Sequence, residues 1–126
     1  MTADRVFAVV TGGGTSGHVL PALAIADALV AAGYARESLH YVGTSRGVET
    51  TLLPPTGLPY TLLDVVGLQR SFSRRNLAFV PKLVGACRRA KRLLRELRPS
   101  VVVNVGGYAS FPATWAARRL GIPYVL

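Results

Sequence analysis

At 126 residues, half of them apolar, the chain is long enough to bury one core and too apolar to be an intrinsically disordered segment. A single cysteine, Cys87, excludes an internal disulfide, and no run of about 18 apolar residues is present to cross a bilayer. Fifteen Lys and Arg against six Asp and Glu leave a formal charge of +9, most of it between Arg70 and Arg119, which favours anionic partners: nucleic acid, anionic lipid or a phosphorylated substrate.

Residues 5–11 read as a first strand, an apolar run of the kind buried on both faces of a parallel sheet and too short for the apolar region of a signal peptide. A glycine-rich turn, Thr11-Gly12-Gly13-Gly14-Thr15-Ser16-Gly17-His18, leads into a helix over residues 18–32 that ends near Gly33. Residues 38–43 form a second strand, 46–53 a short helix stopped by Pro54-Pro55, and 60–65 a third strand. After a basic loop containing Phe72, Asn76 is expected to cap a long helix over residues 77–97, with Pro81 near its start and Pro99 at its end. Residues 101–105 form a fourth strand, followed by Gly106-Gly107-Tyr108. A helix then runs from residue 110 or 111 to 120, and residue 122 begins a fifth strand. The alternation predicts an α/β domain: a Rossmann-like parallel sheet with helices on both faces. The chain stops inside that last apolar strand, which leads us to expect a fragment of a longer protein.

The first glycine turn carries the chemistry. Between a strand and a helix it presents backbone N–H groups at the positive end of the helix dipole, a setting for phosphate or diphosphate. His18 places an imidazole, a proton acceptor, beside that anion site. Gly12, Gly14 and Gly17 also satisfy G-x-G-x-x-G, but the end of the second strand, Val42-Gly43-Thr44-Ser45-Arg46, lacks the carboxylate that would hold a nicotinamide cofactor's ribose. A nucleotide P-loop needs lysine where His18 stands. The second turn follows strand four, so both turns are expected at the carboxyl ends of strands flanking the switch in strand order, with Tyr108 reaching between them. His40, inside a strand, reads as structural.

On the long helix, Phe79, Val80, Leu83, Ala86, Cys87, Ala90, Leu93, Leu94 and Leu97 make a core stripe. Its remaining surface is strongly basic. Phe72, Leu77 and Val84 fall off that stripe among Arg70, Arg74, Arg75 and Lys82, the pattern of an interfacial anchor on anionic lipid. With one aromatic in the basic segment and no recognised module, nucleic acid is not the expected partner. No cluster of carboxylates, Cys or His suits a metal, and no cofactor is expected.

The motifs Gly-Gly-Gly-Thr-Ser-Gly-His-Val-Leu-Pro-Ala at 12–22 and Val-Gly-Gly-Tyr-Ala-Ser-Phe-Pro at 105–112 resemble the acceptor-domain signatures of the MurG family. The resemblance continues through Gly43-Thr44, Gly67-Leu68 and Leu120-Gly121-Ile122-Pro123. It implies the N-terminal half of a GT-B glycosyltransferase that moves GlcNAc from UDP-GlcNAc to lipid I, giving lipid II, at the cytoplasmic face of the membrane. Carried over by motif, Thr15, Ser16 and Gly17 line the donor-facing rim, Gly14 joins them as a substrate-binding residue, and His18 is the general base. Gly106, Gly107 and Tyr108 complete the acceptor diphosphate site. Phe72, Leu77 and Trp115 fall where the family carries its membrane patch, beside the basic residues named above. The resemblance also implies a C-terminal donor domain outside this chain, without which no transfer is expected. The alternative is a non-catalytic membrane-docking and acceptor-binding subunit of a split transferase.

Overall fold

A computed structural model describes residues 6–14, 16–65 and 74–126, leaving aside the side chains of residue 16 and of residues 74–79. Five strands, β1 (Ala8–Gly12), β2 (Leu39–Thr44), β3 (Tyr60–Leu63), β4 (Val101–Gly106) and β5 (Tyr124–Val125), form one sheet in the order β3-β2-β1-β4-β5. Every pairing is parallel. Four helices connect them: α1 (Ser16–Ala31), α2 (Glu49–Leu52), α3 (Arg74–Leu97) and α4 (Phe111–Leu120). The strand order reverses direction between β1 and β4, so the switch lies between the two strands that end in glycine turns.

The β1 residues are buried throughout, because helices cover both faces of the sheet. On one face Val9, Val42, Leu63 and Val102 pack with Ala86, Ala90 and Leu94 of α3 and Ala113, Ala116 and Ala117 of α4. On the other, Ala8, Leu39 and Leu58 pack with Ala26 of α1, while Val10, Tyr41 and Leu53 pack with Ala22. Alanine dominates the helix sides of these contacts, which lets the helix backbones lie close to the sheet. His40 is indeed structural: its Nε2 pairs with Thr61 Oγ1 at 2.8 Å between β2 and β3, and burial pushes its pKa down.

Two local expectations are corrected. α3 begins at Arg74, so Asn76 lies inside the helix rather than capping it. Val80, assigned to the core stripe, is 59% exposed, and Val84 four residues on is 45% exposed. The stripe becomes buried at Ala86 and Cys87, so only the C-terminal part of α3 lies fully on the sheet. Val80 and Val84, one turn apart, instead form an apolar strip facing outward.

Candidate functional site

The two glycine turns meet at the carboxyl end of the sheet. The β1–β4 register shifts after Thr11, so that Gly12 pairs with Gly106 and Val105 is the extra residue. Beyond that irregularity the Gly13 N–H donates to Gly106 O at 3.3 Å. Gly13, Gly14, Gly106 and Gly107 all have positive φ, from +86° at Gly107 to +148° at Gly13, which favours glycine at each. At Gly107 and Gly14 the need is also steric. A Cβ at Gly107 would overlap the Gly13 carbonyl oxygen, and one at Gly14 would fall into the Tyr108 ring.

His18 sits in the first turn of α1, half-buried. Its imidazole lies flat against the second turn: a Cβ built at Gly106 would stand 3.0 Å from Cδ2 and 3.4 Å from Nε2, and one at Gly107 3.2 Å from both Cγ and Nδ1. The absence of side chains at 106 and 107 is therefore what admits the ring. Tyr108, also half-buried, crosses from the second turn to the first and rests on Gly14. Its phenol is pushed up in pKa by burial first and by the Glu49 carboxylate second, and is drawn down by Arg46. Phenol and imidazole thus flank the seam between the turns.

Side chains behind the turns hold them in place. Asn104 Oδ1 accepts from the Gly106 N–H at 2.7 Å, while its Nδ2 donates to Thr114 Oγ1 at 2.8 Å. Ser110 Oγ donates to Gly107 O at 2.7 Å. Tyr41, fully buried, donates its hydroxyl to Gly12 O at 2.6 Å, and burial with the nearby Glu49 charge raises its pKa well above the ordinary phenol value.

Glu49 escaped the sequence reading. It is 0% exposed, with Oε2 accepting from the Thr44 N–H at 2.7 Å and Oε1 from the Gly14 N–H at 3.2 Å. A carboxylate does reach the end of β2, then, but it is buried, with its oxygens turned to the Thr44 and Gly14 N–H groups. The available signal was weak: one of six acidic residues, following glycines at 43 and 47.

Of the other predicted site residues, Gly17 lies in the exposed first turn of α1. Ser16 opens that helix by its backbone, and Thr15 lies outside the described residues. Arg70 and Phe72 also lie outside them, as do the side chains of Arg74, Arg75 and Leu77. Lys82 is half-buried on α3, close enough for its charge to act on Asp64. Asp64 in turn pairs with Arg46 Nε at 2.5 Å, and that bond holds its carboxyl below the ordinary range. Trp115 does not stand out on the surface: it is half-buried against the α3–α4 core, with the Arg119 guanidinium 5.6 Å above its ring. Among the described residues no helix is long and apolar enough to cross a membrane.

Residues 8–126 match the family model of the glycosyltransferase family 28 N-terminal domain. The UDP-N-acetylglucosamine--N-acetylmuramyl-(pentapeptide) pyrophosphoryl-undecaprenol N-acetylglucosamine transferase of Lacticaseibacillus casei (strain BL23) is 47% identical over 118 residues, covering 94% of this chain and 32% of that protein. The protein of the same name from Pseudomonas entomophila (strain L48) is 44% identical, covering all of this chain and 34% of that one. The crystal structure of Acinetobacter baumannii MurG superposes with a TM-score of 0.79 at 33% identity, over 95% of this chain and 34% of that chain. The chain thus spans about a third of the length of the curated relatives it matches. With the family model matched from residue 8 to residue 126 and MurG superposing on nearly all of the sheet and helices, the chain belongs to the glycosyltransferase family 28 N-terminal domains, of the MurG type.

Proposed function

We propose that this chain is the acceptor-binding domain of an inverting transferase that moves GlcNAc from UDP-GlcNAc to the muramoyl 4-hydroxyl of lipid I. One observation carries the reading: His18 is seated on Gly106-Gly107 at the meeting point of two glycine turns. The Gly13 and Gly14 N–H groups are already engaged within the protein, so in this reading the acceptor's diphosphate is taken by the N–H groups that open α1, around Ser16 and Gly17. There His18 accepts the proton of the sugar 4-hydroxyl. The freed oxygen attacks the anomeric carbon, the bond to the UDP oxygen breaks on the opposite face, and configuration inverts. Helix N-termini stabilise the charge developing on the leaving diphosphate.

The relatives' extra length makes the donor domain a separate requirement. Coexpressed with the donor domain of a MurG relative, this chain is expected to restore GlcNAc transfer to lipid I, whereas the chain alone gives none. A stable pair that binds both substrates and transfers nothing would defeat the proposal.

The proposed docking surface is the start of α3, at the cytoplasmic membrane face. Val80 and Val84 are exposed there, close in sequence to the segment holding Arg70, Phe72, Arg74, Arg75 and Leu77. Trp115, half-buried and packed against the core, keeps part of its ring exposed with Arg119 over it. Each cation near an anionic surface contributes about 1 kcal/mol at ordinary salt and less as screening grows. The chain is expected to bind vesicles containing anionic lipid, with affinity falling about tenfold or more between roughly 0.05 and 0.5 M salt. Equal binding to neutral vesicles, or none at low salt, would contradict this.

A further inference from the structure

The acceptor-site reading leaves a buried carboxylate unused. Glu49 opens the four-residue α2 and is 0% exposed, yet among the described residues it forms no ion pair. A carboxylate removed from water is costly unless its oxygens are hydrogen-bonded, and here they accept backbone N–H groups from two different segments: Thr44 at the tip of β2 and Gly14 in the first turn. The surroundings are shaped to admit it. A Cβ at Gly13 or at Gly47 would overlap the carboxylate, and one at Gly43 would stand 2.6 Å from Oε2. Glycines from three segments are thus hollowed out around one side chain.

The consequence reaches the reacting groups. Gly14 is the contact surface of the Tyr108 ring, and Gly13 is bonded to Gly106, against which His18 lies. A carboxylate clamped between β2 and the first turn therefore sets where the phenol and the imidazole stand. It also fills the underside of the turn with negative charge, leaving only the α1 side for an anionic ligand. We propose that Glu49 is a positioning residue of the acceptor site, tying the first glycine turn to β2 so that the diphosphate is received between the start of α1 and Gly106-Gly107. This rests on the acceptor-site reading above.

The two acceptors discriminate among substitutions. Glu49→Gln keeps the shape but must turn an NH₂ toward one of two N–H donors, so one bond becomes a repulsion. Glu49→Asp keeps the charge but is one methylene too short to reach both. In the full 126-residue chain, amide hydrogen exchange and titration with inorganic pyrophosphate, both followed by NMR, read the two consequences separately. In Glu49→Gln, exchange at Gly14 and Thr44 is expected to rise at least tenfold while Val9, Val10 and Val42 stay within twofold of wild type. Pyrophosphate affinity is expected to fall at least fivefold, with Glu49→Asp intermediate. If Glu49→Gln does not fold, Glu49→Asp carries the same comparison. Unchanged exchange at Gly14 and Thr44, a uniform rise that includes Val9 and Val10, or unchanged pyrophosphate affinity would each overturn the inference. Failure of the wild-type chain to bind pyrophosphate would instead count against the acceptor-site reading, with the exchange pattern still deciding whether Glu49 clamps the turn.

Discussion

Replacing His18 by alanine, in this chain paired with a MurG-type donor domain, is expected to lower kcat/KM for lipid I by about 10²–10⁴-fold, the usual contribution of a positioned general base. The expectation rests on geometry. The imidazole is held against Gly106-Gly107, within the first turn of the helix whose N-terminus is proposed to take the diphosphate. An acceptor sugar attached to that diphosphate is thereby brought to the ring. Loss of the base acts on the chemical step, so kcat is expected to carry most of the change, with KM for lipid I moving by less than about fivefold. A His18→Gln variant is expected to resemble alanine in kcat, because it restores size and a hydrogen bond without a basic nitrogen. Steady-state kinetics with varied lipid I checks both. Transfer that persists unchanged in His18→Ala would remove the imidazole from the mechanism and leave the chain as a binding and docking subunit.

The largest stability effect is expected at Gly107. Its φ is +86° and its ψ 160°, a region almost confined to glycine that costs an L-residue about 1–3 kcal/mol. An added Cβ also meets the Gly13 carbonyl oxygen, a backbone atom in a turn held by Tyr41, Glu49 and Gly106. Neither turn can yield without breaking one of those bonds, each worth about 1 kcal/mol. Gly107→Ala is therefore expected to lose about 2–5 kcal/mol in urea unfolding, summing backbone strain and one or two broken bonds. Gly121 provides the control. Its φ is +72°, but nothing lies within 4 Å of a Cβ built there. Gly121→Ala is expected to lose only the backbone cost, about 1–2 kcal/mol. Equal losses at the two positions would mean that the turns do not press on each other in solution.

Much of the architecture is legible along the chain because it is written in local signals. The uninterrupted apolar strands, the amphipathic C-terminal part of α3 and the glycines at turn positions each act over a few residues. Once the elements alternate, the handedness of strand–helix–strand crossovers limits the sheet to few orders. That reasoning placed both glycine turns at one end of the sheet, and β1 and β4 are indeed neighbours. The limits appear where the same residue pattern meets different surroundings. Val80 and Leu94 share an apolar character and a helix, but one is 59% exposed and the other 1%, because the sheet lies beneath only one of them. Trp115 looks like an interfacial aromatic by type, and the fold packs one side of it where α4 meets α3.

Glu49 marks the boundary most clearly. By itself a glutamate opening a short helix after a glycine has every character of a solvated surface residue. It becomes a buried clamp only because β1 and β2 are adjacent, which brings the Gly14 and Thr44 N–H groups, 30 residues apart, to one point. The amino-acid order determined the strands, the helices, the two glycine turns and the family signature, since each depends on neighbours a few residues away. Tertiary structure alone decided which N–H groups the turns commit to each other and to Glu49. Hydrogen bonds between distant segments exist only after the sheet has set their distance.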